Sequence, residues 1–115
     1  MRRGGVYDAR LDPVEGSEQA GIRPVIIVSR DAINESSPIV LAVPCTTYRT
    51  GRRLYPSQVL LRAPDGGLVV DSVALGEQMR AIDRSRLLST HPRGTLSLVA
   101  MQQLNRALLI ALGLP

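Results

Sequence analysis

The chain has 115 residues, a net charge of +4 and fourteen basic residues, all of them Arg, because Lys is absent. That length suits one domain, 1–115, with a real core. Apolar runs no longer than PIVLAVPC and LLIALGLP exclude a spanning helix, and MRRGGVYDAR carries no apolar signal core, so a soluble, intracellular, cytoplasmic protein is expected. The single Cys45 excludes an internal disulfide and has no Cys/His set at ligand spacing around it, in keeping with a reducing compartment.

In chain order, Gly5 to Leu11 reads as a short strand ended by Asp12-Pro13, a pair that disfavours both helix and ladder. A flexible acidic loop, VEGSEQAGIRP, then delivers Arg23 to the mouth of the run PVIIVS. Pro24 to Ser29 and Ile39 to Pro44 are β-branched runs flanked by turn signals and read as buried strands, with RDAINESS as a polar connector between them. Ser57 to Arg62 predicts another strand, and Pro64-Asp65-Gly66-Gly67 a turn that folds it back onto Leu68-Val69-Val70. DSVALGEQMRAID partly alternates, suggesting a long strand in which Gly76 marks a bulge or a close backbone approach. DRSRLL reads as one short helical turn, broken by THPRG. From Ser97, a plausible N-cap, Leu98, Met101, Leu104, Leu108 and Ala111 recur at helical spacing, and Gly113 with Pro115 supplies the stop. Short strands plus one closing helix predict a mainly β fold with α, a compact, strongly twisted sheet or small barrel.

The residues exclude several chemistries. One histidine, His91, beside Pro92, cannot make a two-histidine acid/base pair within a subunit. Cys45 beside Thr46-Thr47 could be a nucleophile, but without a flanking His it reads better as a small buried hydrophobe. Asp71, Glu77 and Asp83 cannot all face one way on a strand, so no metal site is expected, and neither GxxxxGK[ST] nor GxGxxG is present to hold a nucleotide cofactor. What remains is Arg, Thr, Ser and Glu in two places: the loop Glu15 to Arg23 and the segment Thr46 to Arg53. Antiparallel pairing of the two buried strands would bring Arg23 near Thr46; the plainer alternative is a solvated Arg and a strand-capping Thr. Arg offers a planar fork suited to phosphate oxygens. Arg49, Arg52 and Arg53 with Tyr48 and Tyr55 form a basic-aromatic lobe suited to a single nucleic-acid strand, or simply a solvated hairpin loop.

VYDARLDPVEGSEQAGIRPVIIVS, LAVPCTTYRTGRRLYPSQVLL, DSVALGEQMRAIDRSRL and the closing ALLIALGL, in this order, resemble the MazF/PemK (Kid) family of toxin endoribonucleases from bacterial toxin-antitoxin systems. The resemblance covers nearly the whole chain, and GSEQAGxRP and VPCTT are its most specific motifs. It implies a small SH3-like barrel shared with CcdB-like toxins, a symmetric homodimer, and metal-independent, cofactor-free cleavage of single-stranded RNA. It also implies neutralisation by a cognate MazE-like antitoxin whose acidic, disordered C-terminal segment lies across the RNA groove. Arg23 and Thr46 match the family's catalytic pair and Glu18 an acidic residue implicated in some members. Gln19 and Gln78 would line the groove, and Ser17, Thr47 and Arg80 stand in the same motifs as further RNA-binding residues. The chain departs from many relatives in Tyr7, where Trp is common, and Gly76, where a bulkier residue is usual. Two other readings remain: a gyrase-inhibiting toxin on the same fold, disfavoured by the absence of Trp and the ending LGLP, and an RNA-binding barrel without activity.

Overall fold

The computed structural model describes all residues 1–115. Its seven strands form one curled antiparallel sheet: β1 (Gly5–Arg10), β2 (Ile22–Ile27), β3 (Ile39–Thr47), β4 (Gln58–Leu61), β5 (Ser72–Leu75), β6 (Arg80–Asp83) and β7 (Gly94–Thr95). The spatial order is β4-β5-β3-β2-β1-β7, with β6 also on β3. The long strand β3 makes this possible by changing neighbours along its length. Its first half pairs with β6, from Ile39 opposite Asp83 to Ala42 opposite Arg80, and its last three residues pair with β5, from Cys45 opposite Ala74 to Thr47 opposite Ser72. A strand that serves two partners must bend between them, which is how a small sheet closes on itself.

The buried runs are apolar throughout because the sheet is covered on both faces. Val6, Ile26, Val43 and Cys45 point into one core, completed by Val59 and Leu61 of β4 and by helix α2 (Leu98–Leu112). Their neighbours Tyr7, Ala9, Val25, Ile27, Val40 and Ala42 point the other way, into a second cluster with Leu11 and Ile82. Alternate residues of a strand face opposite sides, so two apolar faces erase the polar alternation that a half-exposed strand would show.

Several expected elements change. RDAINESS is not a plain connector: Asp31–Ser36 forms helix α1, and Asn34, almost wholly buried, donates to the Ser29 carbonyl at 2.8 Å while the Ser29 hydroxyl donates back to its amide oxygen. The first two buried strands shift, β2 beginning at Ile22 and β3 running on through Thr47, while β1 stops short of Leu11 and β4 short of Ser57 and Arg62. Leu68-Val69-Val70 forms no strand. The turn at 64–67 docks instead on the segment before β7: at Gly67, φ is +75° and a side chain would meet the Arg93 carbonyl at 2.3 Å. Asp65 meanwhile accepts from the Ser97 N–H and hydroxyl at the start of α2. β4 finds its antiparallel partner only at Ser72, opposite Leu61.

The expected long strand from Asp71 to Asp83 is two strands, β5 and β6, separated by a 3₁₀ turn at Gly76–Gln78. Gly76 is the close approach its position suggested, since a Cβ there would lie 2.4 Å from the Ser57 carbonyl oxygen. DRSRLL does contain a helical turn, Arg84–Arg86. The closing helix holds as expected: Ser97 caps it by accepting from the Ala100 N–H, and Gly113 ends it in the left-handed conformation. Its buried stripe is Ala100, Met101, Leu104, Ala107 and Leu108, rotated from the expected one, so that Leu98 and Ala111 are exposed.

Candidate nucleic-acid interface

β2 and β3 are antiparallel, with Val25 opposite Pro44. Arg23 and Thr46 each lie two residues beyond that last recorded pair, on the sheet face shared with Val25 and Pro44, where Arg23 is paired to Ala9 and Thr46 to Val73. Both residues border one small cleft, with Pro24, Thr47, Val69, Val70, Ser72 and Arg93 completing much of its wall. The Arg23 guanidinium is oriented from its base: Nε donates to the Ala20 carbonyl at 3.1 Å, and its terminal nitrogens donate to no protein group. Such an arrangement presents the outer edge of the fork to an incoming anion. Pro24 fixes the backbone immediately after it.

A second, larger cleft is lined by Glu18, Gln19, Pro44, Gln78, Met79 and Arg80. Here Gln78 and Arg80 act on the loop between β1 and β2. The Gln78 side-chain oxygen accepts from the Gln19 N–H at 2.9 Å, and Arg80 donates to the Leu11 carbonyl at 3.2 Å. Asp12 closes the loop's base by accepting from the Gly21 N–H at 3.1 Å. Glu18 belongs to this second cleft and not to the wall shared by Arg23 and Thr46; its carboxylate accepts from the Glu15 N–H at 2.7 Å. Pro44 ties the two clefts together, being one alternation step from Thr46 on the same face of β3.

The remaining candidates fall outside both clefts. Ser17 is exposed at the loop tip. Tyr48 continues from β3, its N–H donating to the Asp71 carbonyl at 2.8 Å, and the loop beyond it exposes Arg49, Arg52 and Arg53, none of them paired with a carboxylate. The Arg53 guanidinium lies over the Tyr55 ring, 5.8 Å from its centre. Gln58 accepts from the Tyr55 N–H and donates to Glu77, which also holds Ser57. Sequence reasoning missed Arg93, Val69 and Val70. They enter the first cleft because the turn at 64–67 packs on the backbone of Arg93, a contact with no local signal in the sequence.

Cys45 is fully buried, and burial pushes its thiol up to about 12, which removes it as a nucleophile. No three His, Cys, Asp or Glu side chains converge as a metal centre would require. Donors, rather than a metal cluster or a nucleophile, are what the first cleft can bring to a substrate.

The same chain-long pattern is found in known proteins. Endoribonuclease MazF of Staphylococcus saprophyticus is 44% identical over 114 residues, spanning 99% of this chain and 92% of that protein. A solved endoribonuclease from a mycobacterial species, in complex with its cognate antitoxin, superposes with a TM-score of 0.80 at 30% identity, covering 100% of this chain and 97% of the other. MazF of Deinococcus radiodurans superposes with a TM-score of 0.81 at 28% identity over 99% and 97% of the two chains. Residues 2–112 match the family described as PemK-like, MazF-like toxins of type II toxin-antitoxin systems, and the chain belongs to that family.

Proposed function

We propose that the chain is a toxin endoribonuclease that cuts single-stranded RNA without a metal ion and is silenced by a cognate antitoxin with an acidic, disordered C-terminal segment. Family membership supports the class of reaction, as do relatives named endoribonuclease. A relative solved with its cognate antitoxin supports the partner. The observation that supports the assignment to residues is that Arg23 and Thr46 both border one cleft.

In the proposed reaction the RNA's 2′-oxygen attacks the adjacent phosphorus, the bond to the 5′-oxygen breaks, and a 2′,3′-cyclic phosphate and a 5′-hydroxyl result. Arg23 donates two parallel hydrogen bonds to the non-bridging oxygens and Thr46 donates a third, where charge builds up in the transition state. The 2′-proton leaves to water or to Glu18, which would first give up the Glu15 N–H, and the departing 5′-oxygen takes a proton from water. A guanidinium with a pKa above about 12 is a poor base at neutral pH, so Arg23 is assigned charge stabilisation alone. Gln19, Gln78 and Arg80 shape the floor beside this centre, and Ser17, Thr47, Tyr48, Arg49, Arg52, Arg53 and Tyr55 extend the path of the strand. The homodimer implied by the resemblance and action in the cytoplasm complete the proposal. The exposed Leu109, Ile110, Leu112 and Leu114 at the end of α2 favour a partner surface.

The test is a defined RNA incubated with the protein in EDTA. Cleavage to cyclic-phosphate ends by the wild type, lost in Arg23→Ala and Thr46→Ala with circular dichroism unchanged, is expected. Intact RNA with the wild type would refute the enzyme, and full activity in either variant would refute the residue assignment.

A further inference from the structure

Consecutive strand residues face opposite sides, so Thr46 and Thr47 carry hydroxyls to either side of one ridge at the end of β3. Thr46 shares its side with Arg23. Thr47 shares its side with Cys45, Pro24 and, through the pairing of Asp8 with Pro24, with Asp8 on β1. Asp8 holds Arg93: its carboxylate accepts from Nη1 at 2.9 Å, and Arg93 Nε reaches the Gly67 carbonyl at 3.4 Å. Nη2 donates to no protein group. Arg93 is thus a second guanidinium held in place by the protein, with one terminal nitrogen, Nη2, left to donate, on the same cleft as Arg23. Beside it Val69 and Val70 lie 78% and 48% exposed, an apolar step unusual next to two cations.

Resting on the proposed ribonuclease activity, we propose that Arg93 and Thr47 form a second anion subsite, which takes a phosphate of the same RNA strand neighbouring the scissile one, with Val69 and Val70 as the apolar shelf for the intervening nucleotide's base. The chemistry fits a single strand and not a duplex. One polyanionic backbone must cross a ridge with donors on both sides, and an unpaired base can lie on an apolar surface where a stacked pair cannot. Asp8 is the positioning residue of this subsite. It fixes the fork, and its own negative charge opposes the phosphate, so the subsite is tuned below its full strength.

The experiment uses the full chain and a single-stranded RNA spanning a mapped cut site, blocked there by a 2′-O-methyl group, with affinity measured across a salt series. Arg93→Gln is expected to weaken binding about tenfold and to flatten the dependence of log affinity on log salt by about 0.7, the share of one phosphate on a single strand. Asp8→Asn, which removes the opposing charge, is expected to tighten binding in the wild-type background and to do so by less in the Arg93→Gln background, where no guanidinium holds a phosphate beside it. Wild-type affinity and salt slope in Arg93→Gln would overturn the subsite. Should that variant not fold, unchanged binding in Asp8→Asn would overturn it equally. Failure of the unmodified wild type to cut unblocked RNA falls on the proposed function instead, since binding and salt slope are read on RNA that cannot be cleaved.

Discussion

In the role proposed for Arg23, the geometry of the guanidinium matters beside its charge. Its Nε bond to the Ala20 carbonyl orients the guanidinium, and its terminal nitrogens have no protein partner. A Lys would keep the positive charge and lose both the fixed plane and the paired donors. Arg23→Lys is therefore expected to lower kcat on single-stranded RNA by about 10²- to 10³-fold, the loss of ~2.7 to 4 kcal/mol that removal of a preorganised donor produces, with RNA affinity reduced much less. Thr46→Ser keeps the hydroxyl and should retain most of the activity, read in the same gel assay. The fully buried Cys45 behaves in the opposite way. With its thiol raised to about 12 by burial, it should resist alkylation at pH 8 in the native protein and react promptly once urea unfolds it.

At the scale of elements, β3 decides most of the architecture. It pairs with β2, β5 and β6 and carries Pro44, Thr46 and Thr47 to the borders of the two clefts. The 3₁₀ turn at Gly76–Gln78 fixes the far end of that arrangement, because it sets Gly76 against the Ser57 carbonyl and turns Gln78 toward the β1–β2 loop. Gly76→Ala pushes a methyl group into a backbone oxygen that has no room to retreat. A loss of about 1 to 3 kcal/mol is expected, measured as a lower urea midpoint. Helix α1 carries a comparable liability: Asn34→Ala leaves the Ser29 hydroxyl and carbonyl without their buried partner, again at about 1 to 3 kcal/mol. Helix α1 lies away from Arg23 and Thr46, so the folded fraction of Asn34→Ala should still cleave RNA.

For the molecule as a whole, ionisation sets a dome of stability against pH. The Ala63 N–H and then Arg62 hold the Asp71 carboxyl below the usual Asp range, the Arg3 N–H does the same for Asp31, and the Ser85 N–H for Asp83. A carboxylate whose folded value is depressed contributes stability that is present above its unfolded value and is lost as pH falls through the folded one. Melting temperature should thus decline below about pH 4, and Asp71→Asn should blunt the decline. At the alkaline end burial raises Cys45 and Tyr7, with Arg84 partly opposing the shift at Tyr7. Groups raised by folding contribute stability that is present below their unfolded values and disappears as pH climbs toward the folded ones. A second decline above about pH 9 is expected, and a Cys45→Ala variant should lose the thiol's part of it.

Local chemistry alone determined a large part of this protein. The closing helix was legible because Ser97, the helical spacing of its apolar residues and Gly113 all act within a few residues of one another. The buried strands were legible from their β-branched runs, and the antiparallel convergence of Arg23 on Thr46 followed once those strands were taken as neighbours. The motifs GSEQAGIRP and VPCTT carried the family. Tertiary structure decided what depends on contacts between distant segments. α1 forms from a polar stretch because Asn34 is buried against Ser29. The turn at 64–67 packs on Arg93 and keeps Leu68-Val69-Val70 out of the sheet. Glu18 is turned to its own loop, and Arg93 comes to stand beside the cleft of Arg23. A side chain's bonds are fixed by whichever donors and acceptors folding brings within reach, and for these residues the partners lie dozens of positions away or in a turn whose shape the sheet imposes.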